Sequence, residues 1–177
     1  AERSHQFRDL NNPVHYIAIP KTSSERREYI PMGYLDNTYI PSDSIRFVEN
    51  AEPYHFGVLT SKLHMAWMKL VAGKLKTDYR YSKDIVYNTF PFPVLSEQQK
   101  EEITNLVFNI LDEREQHSEK TLAQLYDPDK MPQDLKEAHH QLDLAIEKCY
   151  RNKPFENDEE RLEYLFKLYE EMIEENK

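Results

Sequence analysis

Hydrophobic and polar positions change their rhythm about halfway along the chain. The first half shows short apolar runs broken by polar turns. Val14–Pro20 places Val14, Tyr16 and Ala18 on one side and His15, Ile17 and Ile19 on the other, which predicts a strand stopped at Pro20. Lys21–Arg27 reads as a charged loop. Tyr29, Ile30 and Met32 predict a second short strand that turns at Gly33. Ser42–Ser44 reads as a polar turn, and Ile45–Val48 as a further strand. Pro53 opens a helix that Gly57 or the Thr60-Ser61 pair interrupts. A stronger helix spans Lys62–Val71, with Leu63, Trp67, Leu70 and Val71 on one face and Gly73 at its end. The aromatic stretch from Tyr79 to Phe92 reads as extended.

The second half is helical in period. Ser96 and Gln99 form a capping box for a helix over about 97–117, with Ile103, Leu106, Val107, Ile110 and Leu111 inward. Leu122, Leu125 and Tyr126 mark a single turn that ends at Asp127-Pro128. Pro132 starts a helix facing inward with Leu135, Ala138, Leu142, Ala145, Ile146 and Cys149. Asn157 and Glu160 cap a last helix, which should bury Leu162, Leu165, Leu168, Tyr169, Met172 and Ile173. The fold class expected is α+β: a small irregular sheet with a packed helix, then an acidic helical bundle. The division falls at residues 1–95 and 96–177.

Charge sharpens that division. The chain of 177 residues carries a formal net charge of −9. Residues 1–95 hold 12 Lys+Arg and 10 Asp+Glu, whereas residues 96–177 hold 11 and 22. The front half therefore escapes the argument that an acidic protein avoids nucleic acid, because binding responds to the local field. Its loops mix cations with hydroxyls in Lys21–Arg27 and Lys74–Lys83, which suits phosphate contacts. The acidic half suits protein docking, so a non-catalytic interaction or structural domain is the alternative reading.

Enzymatic motifs are thin. Three glycines build no phosphate loop, and neither HExxH nor GxSxG occurs. His139 and His140 point about 100° apart on a helix, and His55 and His64 lack ligand spacing, so all four read as structural. Cys149, the lone cysteine, excludes an internal disulfide and reads as a buried small hydrophobe in a reducing cytoplasm. Neither a membrane span nor a signal peptide is expected. Ala1 rather than Met opens the chain, which fits a piece of a longer protein.

The phrases YIAIPKTSSERREYIP (16–31), HFGVLTSKLHMAWMKLVAGKLKTDYRYS (55–82) and VYNTFPFP (86–93) resemble the C-terminal region of the MmeI-like type IIG restriction-modification enzymes. These are bacterial, phage-defence proteins that fuse an adenine-specific DNA methyltransferase to a target recognition domain and a small helical C-terminal domain. The resemblance is strong over residues 14–95; the tail matches in position, length and helical character. It implies DNA sequence recognition for N6-adenine methylation by a core that this sequence lacks. The family's Gly-rich cofactor motif, Asn-Pro-Pro-Tyr motif and nuclease motif are all missing here. S-adenosylmethionine, and magnesium if the parent cleaves DNA, would therefore belong to the parent chain. The partners implied are double-stranded DNA, bound weakly by this piece alone, and the methyltransferase core, in the cytoplasm.

The resemblance also marks positions. Lys76, Asp78, Asp43, Ser44 and Lys21 are implied as readers of DNA bases. If the segment is extended, Lys76 and Asp78 share a side and read one G·C pair together. Arg26, Arg27, Arg80 and Lys83 are expected at backbone phosphates or holding the loops. Trp67 and Leu63 are expected in the core.

Overall fold

The computed structural model describes residues 14–39, 42 and 44–175. Strand β1, His15–Pro20, lies at the centre of a three-stranded antiparallel sheet. It pairs with β3, Gly33–Asp36, on one side and β4, Ile45–Glu49, on the other. Tyr16, Ile17, Ala18 and Ile19 are all buried, so both faces of β1 are covered. A continuous apolar run in place of strict alternation is what such a strand requires.

A second three-stranded sheet is smaller. Its order is β2, Thr22–Ser23, then β6, Asp78–Arg80, then β5, Gly73–Leu75. Lys21 joins the two sheets. Its N–H donates to the Ser44 carbonyl at 3.1 Å, and its own carbonyl accepts from the Tyr81 N–H at 2.9 Å.

Several sequence expectations shift here. Tyr29 to Met32 is not a strand. Tyr29 and Ile30 are both buried, Pro31 has no N–H to donate, and the Met32 N–H closes a tight turn onto the Ile30 carbonyl at 2.8 Å. Gly33 begins β3 opposite Ala18 instead of turning the chain. The stretch after Gly73 is not a simple extended run. Gly73–Leu75 and Asp78–Arg80 form a hairpin, and Lys83–Tyr87 makes a π-helical turn closed by the Asn88 N–H on the Lys83 carbonyl at 2.8 Å.

Helix α1, Pro53–Thr60, carries proline at its start and runs unbroken through Gly57. Ser61 separates it from α2, Lys62–Val71. The Ser61 hydroxyl donates to the Val58 carbonyl at 2.7 Å and accepts from the His64 N–H at 3.4 Å, so one side chain serves both helix ends. Leu63 and Trp67 lie in the core, but Leu70 is 52 % exposed. Gly73 does not adopt the left-handed backbone of a glycine cap; Ala72, extended, ends the helix.

Helix α3, Glu97–Glu115, starts at the Ser96/Gln99 capping box. The single turn α4, Leu122–Leu125, precedes α5, Gln133–Tyr150, and α6, Asp158–Glu175. Asn157 caps α6 by accepting from the Glu160 N–H at 2.9 Å, while the Glu160 carboxylate reaches past it to the Glu156 N–H. Of the apolar row expected inside α6, Leu165 is fully buried and Ile173 is exposed, because α6 packs chiefly along α2. One apolar core runs from Ile17 in β1 through α1, α2, α3 and α5 to Leu165 in α6. The core therefore crosses the point where composition changes.

Candidate nucleic-acid interface

The Lys21 junction assembles an edge from residues far apart in sequence. Ser44 leads into β4, Lys21 leaves β1, and Arg80 lies opposite Thr22 and ends β6. The two backbone hydrogen bonds of Lys21 set Ser44 on one side of it and Tyr81 on the other. The Ser44 hydroxyl is exposed and shares a hydrogen bond of 2.6 Å with the Ser42 hydroxyl. Lys21 is half-buried and Arg80 exposed. Asp43 lies outside the described residues.

Lys76 and Asp78 do not lie on one extended run. Leu75 pairs with Asp78, so Lys76 and Thr77 form the two-residue tip of the β5–β6 hairpin. Lys76 has a φ of 57°, in the left-handed region that disfavours a side chain. It is exposed at the tip, while Asp78 is half-buried at the start of β6. The turn between them removes the alternation that would have set both side chains on one side of a strand.

The front-half cations fall into two sets. Arg26 pairs with Asp129 at 2.7 Å, and Arg27 donates to the Ala123 carbonyl at 3.3 Å, so both reach the helical half. Lys62 pairs with Glu28 and Lys74 with Glu25, each at 3.1 Å. These contacts pin the loop after β2. The side chains of Lys21, Arg46, Lys76, Arg80 and Lys83 have no hydrogen-bond or ion-pair partner among the described residues. Free cations of this kind remain available to an anionic ligand.

A buried polar chain, which sequence reasoning missed, ties the two halves together. Arg114 of α3 donates to the Met32 carbonyl at 2.8 Å and to the Tyr126 hydroxyl from Nε at 2.9 Å. The Tyr126 hydroxyl, already accepting from Arg114, donates to Nε2 of His139, 2.6 Å away. His139 then carries its proton on Nδ1, which has no hydrogen-bond partner among the described residues. His139 stacks on Tyr29 with centroids 4.2 Å apart, and the Tyr29 hydroxyl donates to Asp143 at 2.6 Å. Asp143 also accepts from the Lys62 N–H at 2.7 Å. Burial holds His139 well below the usual imidazole range, with the Arg114 charge adding to it, and pushes Asp143 up to about 6. One signal was available: Arg114 continues the Ile103, Val107, Ile110 row at the spacing of the buried face.

The remaining candidates are structural. His64, wholly buried against Tyr81 at 2.9 Å, is held down to about 3 by desolvation. His55 accepts from the Glu52 N–H and helps cap α1. Cys149 donates to the Ala145 carbonyl, and burial, reinforced by Glu102, pushes its thiol up to about 11. Asp127 accepts from the Asp129 N–H at 3.0 Å, a turn contact. No group of His, Cys, Asp and Glu among the described residues is arranged to hold a metal ion. No helix among them is long and apolar enough to cross a membrane.

Three comparisons bear on this arrangement. The profile of the MmeI target recognition domain matches residues 1–94, and that of the MmeI C-terminal domain matches residues 94–175. DNA methyltransferase A of Bacillus subtilis (strain 168) is 52 % identical over 170 residues, covering 96 % of this chain and 19 % of that protein. A solved structure of the type IIL restriction-modification enzyme MmeI in complex with DNA superposes with a TM-score of 0.86 at 40 % identity. That match covers 91 % of this chain and 22 % of the other. The chain thus spans about one fifth of the length of these relatives. With both profiles matched in sequence order and the same fold in MmeI, this chain belongs to the MmeI family, as its target recognition domain followed by its C-terminal domain.

Proposed function

We propose that this chain reads a DNA target sequence on behalf of an adenine-specific methyltransferase of which it forms the recognition part. The observation that carries the reading is the Lys21 junction, which joins the backbone of Ser44 and Tyr81 beside Arg80, the Lys21 and Arg80 side chains having no hydrogen-bond or ion-pair partner among the described residues. A hydroxyl and an ammonium are donors suited to base edges in the major groove, and the Lys76–Asp78 hairpin tip adds a donor and an acceptor. Arg80 and Lys83 suit phosphates. Arg26 and Arg27, already engaged with Asp129 and Ala123, are assigned instead to holding the loop after β2. Asp43 belongs with Ser44 as a candidate reader by its place in the sequence.

The division at residue 95 is functional in this reading. Residues 1–95 supply the reading edge, and residues 96–177 brace it through the shared core. The glycines do not fit a loop for a methyl donor: Gly33 lies in β3, Gly57 inside α1 and Gly73 at the start of β5. Methyl transfer is assigned to no residue of this chain, and S-adenosylmethionine to the methyltransferase core.

The test is to change Lys21 to Gln within a methyltransferase carrying these residues and to map the methylated sites. Altered or relaxed preference at one target position is expected. An unchanged target at unchanged activity would remove Lys21 from the reading edge.

A further inference from the structure

We propose that the groove between β4 and the π-helical turn cradles the sugar–phosphate backbone of one DNA strand, with Arg46 and Lys83 as its two phosphate contacts. The proposal rests on the reading of this chain as a DNA-recognition module and extends it to a surface beyond the base-reading edge.

The groove has a volume of about 530 Å³. One wall is β4, the outer strand of its sheet, which contributes Ile45, Arg46 and Val48. The other wall contributes Lys83 and Tyr87. Both walls continue directly from the reading edge. Arg46 follows Ser44 by two residues, and the Ser44 carbonyl accepts from Lys21; Lys83 follows Tyr81 by two, and the Tyr81 N–H donates to Lys21. A strand whose bases meet Lys21 and Ser44 thus has its flanking backbone directed along this groove.

The lining chemistry fits that occupant. Arg46 and Lys83 are exposed, and neither side chain has a partner among the described residues. Between them lie Ile19, Val48 and Tyr87, while Phe47, next to Arg46 on the strand, turns to the opposite face against Tyr16. Deoxyribose offers such a surface a hydrocarbon face, while its phosphates project to the cationic rims. A small hydrated anion would gain nothing from Val48 and Tyr87, and a purely basic patch would lack them. Glu49, the acid of the lining, lies three residues beyond Arg46 on β4.

Arg46→Gln, Lys83→Gln and Tyr87→Leu, introduced into a methyltransferase carrying these residues, separate the contributions. Binding is measured across a salt series with one duplex containing the target and one with it scrambled. Each cation lost should lower affinity for both duplexes alike and reduce the slope of log K against log salt by about 0.9. Tyr87→Leu should weaken both duplexes while leaving that slope unchanged. Methylated sites should stay the same in all three. An unchanged salt slope in both cation variants, with unfolding midpoints intact, places the groove off the DNA and overturns the proposal. A shift in the methylated sequence also overturns it, since Arg46 or Lys83 would then read bases. The Arg46 side chain has no hydrogen-bond or ion-pair partner among the described residues, so Arg46→Gln decides the matter even where Tyr87→Leu fails to fold. Lys21→Gln, run in parallel, keeps the two readings apart. If it alters the target while the groove variants do nothing, only the groove fails; if neither has an effect, Lys21 leaves the reading edge as well.

Discussion

Arg114 and Met32 meet across 82 residues of sequence, the guanidinium Nη1 donating to the main-chain carbonyl at 2.8 Å. The contact joins the third helix of the fold to the segment that leads into β3. The guanidinium also lies over the Phe56 and Tyr126 rings, with centroids 5.2 and 4.9 Å away. A helical domain that merely followed the recognition domain would have no such contact. Here the acidic half supplies a wall of the core on which the sheets of the front half rest.

Replacing Arg114 tests that bracing. Arg114→Met keeps much of the volume but leaves the buried Met32 carbonyl without its donor, at a cost of about 1–3 kcal/mol. Arg114→Lys restores a charge but not the planar fork that serves Met32 and Tyr126 together, so it should not rescue fully. Urea unfolding of the three proteins checks the order: wild type most stable, both variants below it. A lysine variant as stable as wild type would show that charge alone suffices.

Gly57→Ala probes the same joint from α1. A Cβ at this position would stand 2.5 Å from Ile103 Cγ2 and 3.0 Å from Val107 Cγ2. Both neighbours are β-branched and cannot swing away freely. Alanine gains about 1 kcal/mol of helix propensity, against about 1–3 kcal/mol for overpacking. The clash should prevail, so the unfolding midpoint should fall. A raised midpoint would mean that α1 and α3 separate without cost.

Local rules made some of this fold legible and long-range geometry concealed the rest. Pro53, the Ser96/Gln99 box and the Lys62–Val71 face act within a few residues, and the structure has helices in those places. The displacement of β3 to Gly33–Asp36 depends on burial of Tyr29 and Ile30 by partners distant in sequence. The π-helical turn follows no apolar period. Lys21 was visible as a polar loop residue, but its pairing with Ser44 and Tyr81 spans 23 and 60 residues. Arg114 was hidden by the habit of reading a charge as solvated, although it stood at a buried spacing.

Acid should weaken the fold through His64 and His139. Both are buried and held below 6.5, so the folded state binds fewer protons than the unfolded chain as pH falls through 6.5. Stability should then drop by about 1.4 kcal/mol per pH unit for each histidine. Asp143 acts in the opposite sense. Its folded value is raised to about 6, so stability from this group grows as pH falls from about 6 toward 4. The net loss should set in near pH 6.5 and continue toward pH 4, with Asp143 offsetting about one histidine's share below about pH 6. Denaturation across this range checks the curve, and His64→Gln should cut its slope by more than half. An unaltered slope in that variant would show that His64 does not control the acid limb.

Lys76→Gly separates strain from function at the hairpin tip. With φ at 57°, Lys76 pays about 1–2 kcal/mol that glycine avoids. Glycine loses about 0.5–1 kcal/mol of that through its freer unfolded state. The variant should match or slightly exceed wild type in thermal midpoint while preference at one target position relaxes. An observed strained residue at a candidate site is a pointer to function. A lower midpoint with an unchanged target would mark Lys76 as a packing residue.

The exchange of Lys76 and Asp78 is the sharpest test of base reading. Lys76 projects from the tip of the β5–β6 hairpin, and Asp78 stands two residues on, opposite Leu75. On one G·C pair the lysine would donate to guanine and the aspartate accept from the cytosine amine. Lys76→Glu together with Asp78→Arg reverses donor and acceptor, so preference at a single position should turn from G·C to C·G with the others kept. Either substitution alone should lose about 1–3 kcal/mol of discrimination, because a charge is left against a mismatched edge. Arg80→Gln, as loss of a phosphate contact, should instead weaken all sequences alike. Mapping methylated sites in DNA exposed to each variant of a methyltransferase carrying these residues reads all of these outcomes at once. An unchanged target with lowered activity in the double variant would take the hairpin tip off the base edges. Base selection would then rest on Lys21, Ser44 and the segment between Tyr39 and Ile45.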